Sequence, residues 1–222
     1  MKKAYIKDIT FYVPEKILTN DDLSKVMDTS DEWISTRTGI KQRHVVGESG
    51  EGPVDLAVKA SEKLLSKTNM LKEKIDFVIF ATSTSERYIP GSGSLFQSKM
   101  GLKNIGVLDI RQGCAGFVYA ISVANQFIQT ECYKNILVIG AEVHSTQLNF
   151  DNDGRNVAVL FGDGATAALL TVSENEIAMR GSTSDIISIF LQLANAERLQ
   201  SNEMVIHSID ADSLIFAVKL SN

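Results

Sequence analysis

NIGVLDIRQGCAGF, residues 104–117, combines the patterns of a strand, a turn and the start of a helix in one short segment. Its apolar first half predicts a buried strand over 104–110, and the apolar, proline-free run over 115–129 predicts a helix. Cys114 therefore lies just before a helix N-terminus, where unpaired N–H groups and the helix dipole favour a thiolate. Glycines on both sides permit a sharp turn and the close approach of a substrate carbonyl. The pattern indicates a nucleophile, although cysteine is also a common small buried residue.

The second cysteine argues against redox and metal chemistry. A helix over most of the distance from Cys114 to Cys132 would separate the two sulfurs by about 25 Å, too far for a disulfide. The sequence has no C-x-x-C motif, no cysteine and histidine cluster with zinc spacing, and no secretion signal at its start. We therefore predict a cytoplasmic location, no metal site, and a structural role for Cys132.

Composition sets the class of protein. The chain has 222 residues, is 44% hydrophobic and 22% charged, and carries a formal net charge of −5. This length and composition indicate a compact soluble body, and no apolar run reaches the roughly 20 residues of a membrane span. A modest negative charge gives no general attraction to nucleic acid. We predict neither a membrane span nor a nucleic-acid partner, and an anionic ligand would need a local basic group.

Such a basic group lies in TSDEWISTRTGIKQRH, residues 29–44. The stretch opens with a helix N-cap and two acids, and Arg37, Lys41 and Arg43 follow around a glycine. Trp33 is the only tryptophan of the chain. An aromatic ring beside guanidinium groups is one way to bind a nucleotide-bearing ligand, through stacking and phosphate contacts. A capped helix followed by a solvated charged turn accounts for the pattern equally well.

Strands and helices alternate along the rest of the chain. The predicted strands are 4–13, 75–81, 135–143, 156–161 and 166–172, and the predicted helices are 55–67 and 91–100. The alternation indicates an α/β fold, with a mostly parallel sheet covered by helices on both faces. Functional groups of such sheets lie at the carboxyl ends of the strands. Cys114 and His144 both follow strands, so we expect both at the same edge.

Four motifs occur in a characteristic order. They are DTSDEWI at 28–34, TRTGI at 36–40, GCAGF at 113–117 and FGDGA at 161–165. Together they resemble the ketoacyl-acyl-carrier-protein synthase III family, of thiolase fold. The resemblance implies that Cys114 is the acylated nucleophile and that Trp33 and Arg155 hold the adenine of coenzyme A from opposite faces. It also implies that Thr29 and Arg37 lie close to the same ligand.

The resemblance implies an activity as well. Members of the family extend an acyl-CoA primer by two carbons from malonyl-acyl-carrier protein, releasing carbon dioxide, without a further cofactor. The reaction initiates fatty acid or polyketide-like synthesis. The implied partners are acyl-CoA, acyl carrier protein and a second copy of the chain, paired through the strand before Cys114. Gln112 and His144, which lies in a region lining the acyl pocket in the family, would suit an unusual acyl group or reflect ordinary variation.

The resemblance covers one half of a two-half fold. We expect residues 1–172 to form an essentially complete N-terminal thiolase-like half, and 173–222 to form a connecting segment and the start of a C-terminal half that is otherwise missing. The histidine and asparagine motifs that stabilise the enolate in the family are absent from the sequence. We therefore expect a truncated acyltransferase that is acylated on Cys114 but does not condense alone. The alternative is a non-catalytic thiolase-like partner or chain-length subunit.

Overall fold

The computed structural model describes residues 3–173 and the backbone of two short strands at 204–206 and 218–220. The rest of the predicted segment 173–222 lies outside the described residues. The strands are β1 (Lys3–Tyr12), β2 (Ile17–Thr19), β3 (Gln42–His44), β4 (Phe77–Ala81), β5 (Gly106–Ile110), β6 (Asn135–Val143), β7 (Asp163–Ser173), β8 (Met204–Ile206) and β9 (Val218–Leu220). The helices are α1 (Asn20–Ser24), α2 (Asp31–Thr38), α3 (Pro53–Thr68), α4 (Ser92–Met100), α5 (Gly116–Gln129) and α6 (Arg155–Ala158).

Five of these strands form one sheet, in the order β1-β7-β6-β4-β5. β4 pairs in parallel with β5 and with β6, whereas β7 pairs antiparallel with β6 and with β1. Only β7 therefore runs against the other members of this sheet. The predicted α/β fold is confirmed, but the sheet is mixed and not mostly parallel, because both pairings of β7 are antiparallel.

Helices cover both faces of the sheet, as the sequence predicts. Side chains of β4 alternate between two cores, so that Val78 and Phe80 pack with α3 and α4 while Phe77 and Ile79 pack with α5. All five residues of β4 are buried because both of its faces are covered. Within the described residues, no helix combines the length and the apolar character that crossing a bilayer requires.

The predicted strand at 156–161 is wrong. Ala158 and Val159 are buried, whereas Val157 and Leu160 are exposed. Two adjacent buried residues fit a helical turn and not the alternation of a strand, which agrees with the short helix α6 that begins this segment.

The predicted burial of the strand at 104–110 is also wrong. β5 is an edge strand of the described sheet, with β4 as its neighbour there, and its residues are half-buried or exposed. Apolar composition alone does not distinguish an edge strand from a central one, because both pack one face against the core.

Candidate active site

Cys114 lies in a single 3-10 turn, Gly113–Ala115, directly before α5. Gly113 has a φ of 51°, in the left-handed region that glycine adopts without strain. A Cβ atom at Gly116 would lie 3.3 Å from the Cβ of Ala81, so this glycine allows α5 to start close against β4. The predicted arrangement of strand, turn and helix is confirmed, and the Cys114 thiol is exposed.

The carboxyl ends of β4, β5 and β6 lie at one edge of the sheet, because the three strands are parallel. Cys114 follows β5 and His144 follows β6, so both lie at the predicted edge. Between them, residues after β4 bind the Glu142 carboxylate. The Ser83 N–H donates to it at 2.8 Å and the Thr84 hydroxyl donates to it at 2.7 Å. No local pattern around Glu142 indicates this role, because the donors come from the loop after β4.

His144 has two neighbours at this edge. Its ring centroid lies 4.7 Å from that of Phe161, and its Nε2 lies 3.9 Å from Oε2 of Glu142. The side chain is 26% exposed, so the imidazole is partly open to solvent and to a ligand. A role in an acyl pocket remains a prediction.

The FGDGA motif is explained by Asp163, the first residue of β7. Its buried carboxylate accepts hydrogen bonds from the N–H of Val46 at 2.7 Å and from the N–H of Ser145 at 2.9 Å. The Ser145 hydroxyl donates to it as well. Asp163 thus joins the loop after β3 to the loop that follows His144, and the flanking glycines are the only sequence signal of its importance.

A second cluster forms around Trp33 on α2. The helix is capped by Ser30, whose hydroxyl accepts a hydrogen bond from the Trp33 N–H at 3.0 Å, and it ends at Gly39 in the left-handed conformation. Arg37 lies one turn after Trp33, with its guanidinium carbon 4.5 Å from the centroid of the ring. The half-buried ring and the exposed guanidinium confirm that α2 presents an aromatic surface beside a positive charge.

Arg155 reaches the same ring from α6. Its guanidinium carbon lies 4.9 Å from the centroid of Trp33, and its Nη1 donates to the carbonyl of Asp28 at 2.7 Å. Thr29, the next residue, has a buried hydroxyl without a hydrogen-bond partner. The structure therefore brings together the four residues that the resemblance assigns to coenzyme A: Thr29, Trp33, Arg37 and Arg155.

The other two basic residues of this segment behave differently. Lys41 pairs with Asp31 at 3.5 Å on the surface. Arg43, in β3, is only 5% exposed, so it is not available to a ligand. The sequence suggested that Arg37, Lys41 and Arg43 form one basic patch. In the structure, Arg37 is exposed on α2, whereas Arg43 is buried on β3.

Among the residues that the structure describes, no three cysteine, histidine or acidic side chains are grouped as a metal site would require. Both cysteines are free, and Cys132 is exposed beyond the end of α5. Its sulfur lies 3.4 Å from the hydroxyl oxygen of Thr130. The chain therefore offers two exposed thiols, of which Cys114 alone lies at a helix N-terminus.

Known proteins resemble the chain in sequence and in fold. Residues 108–186 match the model of the 3-oxoacyl-[acyl-carrier-protein] synthase III family. The β-ketoacyl-[acyl-carrier-protein] synthase III of Acholeplasma laidlawii is 47% identical over 179 residues, which are 79% of this chain and 56% of that protein. The protein of the same name from Caldanaerobacter subterraneus is 46% identical over 171 residues, 77% of this chain and 51% of that protein.

A solved structure of a protein with the family's name is similar to this chain in fold. The crystal structure of 3-oxoacyl-[acyl-carrier-protein] synthase III from Aquifex aeolicus matches with a TM-score of 0.73 and 40% identity, over 79% of this chain and 55% of that chain. The chain spans about half the length of the curated relatives it matches.

Proposed function

Because the chain belongs to the β-ketoacyl-[acyl-carrier-protein] synthase III family, of thiolase-like fold, we propose that it is an acyltransferase with Cys114 as its nucleophile. The Cys114 thiolate attacks the carbonyl of an acyl-CoA thioester, so that a sulfur–carbon bond forms. The tetrahedral intermediate then collapses, the bond to the coenzyme A sulfur breaks, and coenzyme A leaves with a proton from solvent. The acyl group remains on Cys114 as a thioester.

The observation that carries this proposal is the exposed Cys114 thiol in the turn before α5. Three features favour attack there. The positive end of the helix dipole lies beside the sulfur and favours negative charge that develops at the reacting centre. The glycine-lined turn leaves space for a substrate carbonyl next to the sulfur. Exposure admits a donor as large as coenzyme A.

We further propose that Trp33, Arg37, Arg155 and Thr29 bind the nucleotide end of the donor. The indole ring and the Arg155 guanidinium offer stacking surfaces for adenine, and the Arg37 guanidinium offers bidentate contacts to a phosphate. Adenine would enter between Trp33 and Arg155 and take the place of their direct contact of 4.9 Å. Thr29 directly follows Asp28, whose carbonyl accepts from Arg155, and its hydroxyl has no hydrogen-bond partner.

For the complete reaction, we propose decarboxylative condensation of the acyl-Cys114 with a malonyl unit carried by acyl carrier protein, in the cytoplasm. The half-exposed edge strand β5 supports the expected homodimer, since it can pair with a second copy. The 222-residue sequence holds no match to the family's later histidine and asparagine motifs. The isolated chain should therefore stop at the acyl-enzyme.

Intact-mass measurement tests the proposed function. The chain is incubated with a series of acyl-CoAs, from acetyl to longer and branched acyl groups, and the mass added per chain is measured. Cys132→Ala is the matched control, because both thiols are exposed. We expect one acyl adduct in the unmodified protein and in this control. Cys114→Ala should show none. An adduct that survives Cys114→Ala would contradict the proposal, and no adduct in any form would favour the non-catalytic alternative.

A further inference from the structure

Arg43 is a buried positive charge with no ion-pair partner among the described residues. Its side chain is 5% exposed, and none of the ion pairs among the described residues includes it. Burial lowers the pKa of Arg43 to about 10, which leaves the guanidinium charged at neutral pH. Burying an unpaired charge is costly, and apolar residues of similar volume often replace buried ionic groups without loss of stability. Stability alone therefore gives a weak reason for an arginine at this position.

The hydrogen bonds of Arg43 reach two separate parts of the chain. Nη1 donates to the side-chain oxygen of Asn20 at 2.9 Å and to the carbonyl of Leu18 at 3.3 Å, and Nη2 donates to the carbonyl of Val159 at 2.7 Å. Nε is buried without a partner, so the guanidinium is not fully satisfied. The rigid fork of the guanidinium thus holds β2 and the start of α1 at a fixed distance from the end of α6.

Asn20 extends this connection to α2. It is 1% exposed, and its amide nitrogen donates to the Asp31 carboxylate at 2.7 Å and to the carbonyl of Ile40 at 2.8 Å. Asp31 is the first residue of α2, and Ile40 lies just after the helix ends. A single buried amide therefore holds both ends of the helix that carries Trp33 and Arg37.

Val159 completes the connection on the other side, because it directly follows α6, the helix that carries Arg155. The chain of contacts then runs from α2 through Asn20 and Arg43 to α6. Around it lies a small apolar core shared by the two helices, with Ile34 from α2 and Ala158 from α6. The network is thus placed to set the position of the Arg155 guanidinium relative to the Trp33 ring.

We propose that Arg43 is a positioning residue for the nucleotide pocket, fixing the two helices that carry Trp33 and Arg155 relative to each other through Asn20 and the Val159 carbonyl. The inference rests on the proposed function for the identity of the ligand, but the geometry that it assigns to Arg43 does not require a ligand. Arg43 does not touch the donor. Substitution of Arg43 should therefore weaken the binding of donors that carry a nucleotide and leave the reaction of donors that lack one unchanged.

Two donors separate positioning from a general structural role. Acetyl-CoA carries the nucleotide, whereas the acetyl thioester of N-acetylcysteamine has the same reacting group without it. For Arg43→Lys, which keeps the charge but loses the fork, we expect the Kd for coenzyme A to rise about tenfold. The rate of Cys114 acylation by the truncated thioester should stay within about twofold. Equal losses with both donors, or an unchanged Kd, would overturn the inference.

A second variant tests the same connection in case Arg43→Lys does not fold. Asn20→Ala removes the link to α2 and leaves Arg43 in place, and its expected effects are those of Arg43→Lys. Asn125→Ala is the matched control, because Asn125 is also 1% exposed but lies on α5, away from α2 and α6. The control should bind coenzyme A as the unmodified chain does.

Tryptophan fluorescence tests the geometry without any ligand, because the chain has one tryptophan. When Arg155 no longer lies over Trp33, acrylamide reaches the ring more easily. We expect the quenching constant to rise about twofold in Arg43→Lys and in Asn20→Ala, and to stay unchanged in Asn125→Ala. An unmodified chain that fails to bind coenzyme A would contradict the proposed function alone. Unchanged quenching in both network variants would contradict the role of Arg43.

Discussion

The guanidinium carbon of Arg155 lies 4.9 Å from the centroid of the Trp33 ring, although the two residues come from helices far apart in sequence. Arg37 lies 4.5 Å from the same ring. Two guanidinium groups beside one indole repel each other, and the arrangement is stabilised by the Asp28 carbonyl that accepts from Arg155 at 2.7 Å. A ligand with phosphates and a flat base would reduce that repulsion while keeping the stacking.

Trp33→Ala and Arg155→Ala should each weaken the binding of coenzyme A. Loss of a partly desolvated stacking or cation–π contact costs about 1 to 2 kcal/mol, which corresponds to a Kd raised about 5-fold to 30-fold. Isothermal titration calorimetry measures the change. Lys63→Ala is the control, because Lys63 lies 4.9 Å over the ring of Phe11 at a distant surface. Unchanged affinity in both site variants would place the nucleotide elsewhere.

Asp163→Ala should destabilise the fold. The substitution leaves the N–H groups of Val46 and Ser145 without their acceptor, at a cost of about 1 to 3 kcal/mol for each buried group. Asp163→Asn keeps one carbonyl oxygen and should lose less. Urea denaturation gives the free energy of unfolding, and equal stability of Asp163→Ala and the unmodified chain would contradict the role assigned to this carboxylate.

The stability given by the contact between Asn20 and Asp31 should depend on pH. The hydrogen bond from the Asn20 amide holds the pKa of Asp31 below its usual value. Because the folded pKa is the lower one, the contact stabilises the fold above about pH 4 and loses its effect as pH falls through the folded value. The difference in unfolding free energy between the unmodified chain and Asn20→Ala should therefore shrink from pH 7 to pH 3. A difference in unfolding free energy that grows from pH 7 to pH 3 would contradict this assignment of the Asn20 hydrogen bond.

His144→Leu should change acyl preference and leave the nucleophile intact. Replacing a partly exposed imidazole beside Phe161 with an apolar side chain should favour longer apolar acyl groups by about tenfold relative to acetyl. Competition between two acyl-CoAs, read as the ratio of the two Cys114 adducts by mass, measures the preference. His144→Gln, which stays polar, should keep the original ratio. If both variants behave as the unmodified chain does, His144 lies outside the acyl pocket.

The isolated chain should not condense its acyl group with malonyl-acyl-carrier protein. Removal of one oxyanion-type donor typically lowers rates about 100-fold to 1000-fold, and the sequence lacks both the histidine and the asparagine motif of the family. Release of carbon dioxide from labelled malonyl-acyl-carrier protein is the measurement. Robust release that disappears in His144→Ala would show that His144 serves as the base or donor instead.

Sequence reasoning located Cys114 well because every signal for its position is local. The apolar strand, the flanking glycines and the proline-free helix all lie within one continuous segment. Only the family resemblance predicted that Trp33 and Arg155 belong to one site, since no local pattern links the two segments. The burial of Arg43 escaped prediction for a related reason, because its acceptors at Asn20 and Val159 come from separate parts of the chain.

The place of β5 at the rim of the described sheet has a consequence for the backbone around Cys114. β5 ends at Ile110, four residues before Cys114, and it pairs within the described residues only with β4. A strand added along its open side would bond to the same backbone that leads into the cysteine turn. Pairing along this side would therefore restrict the movement of the backbone on which Cys114 lies.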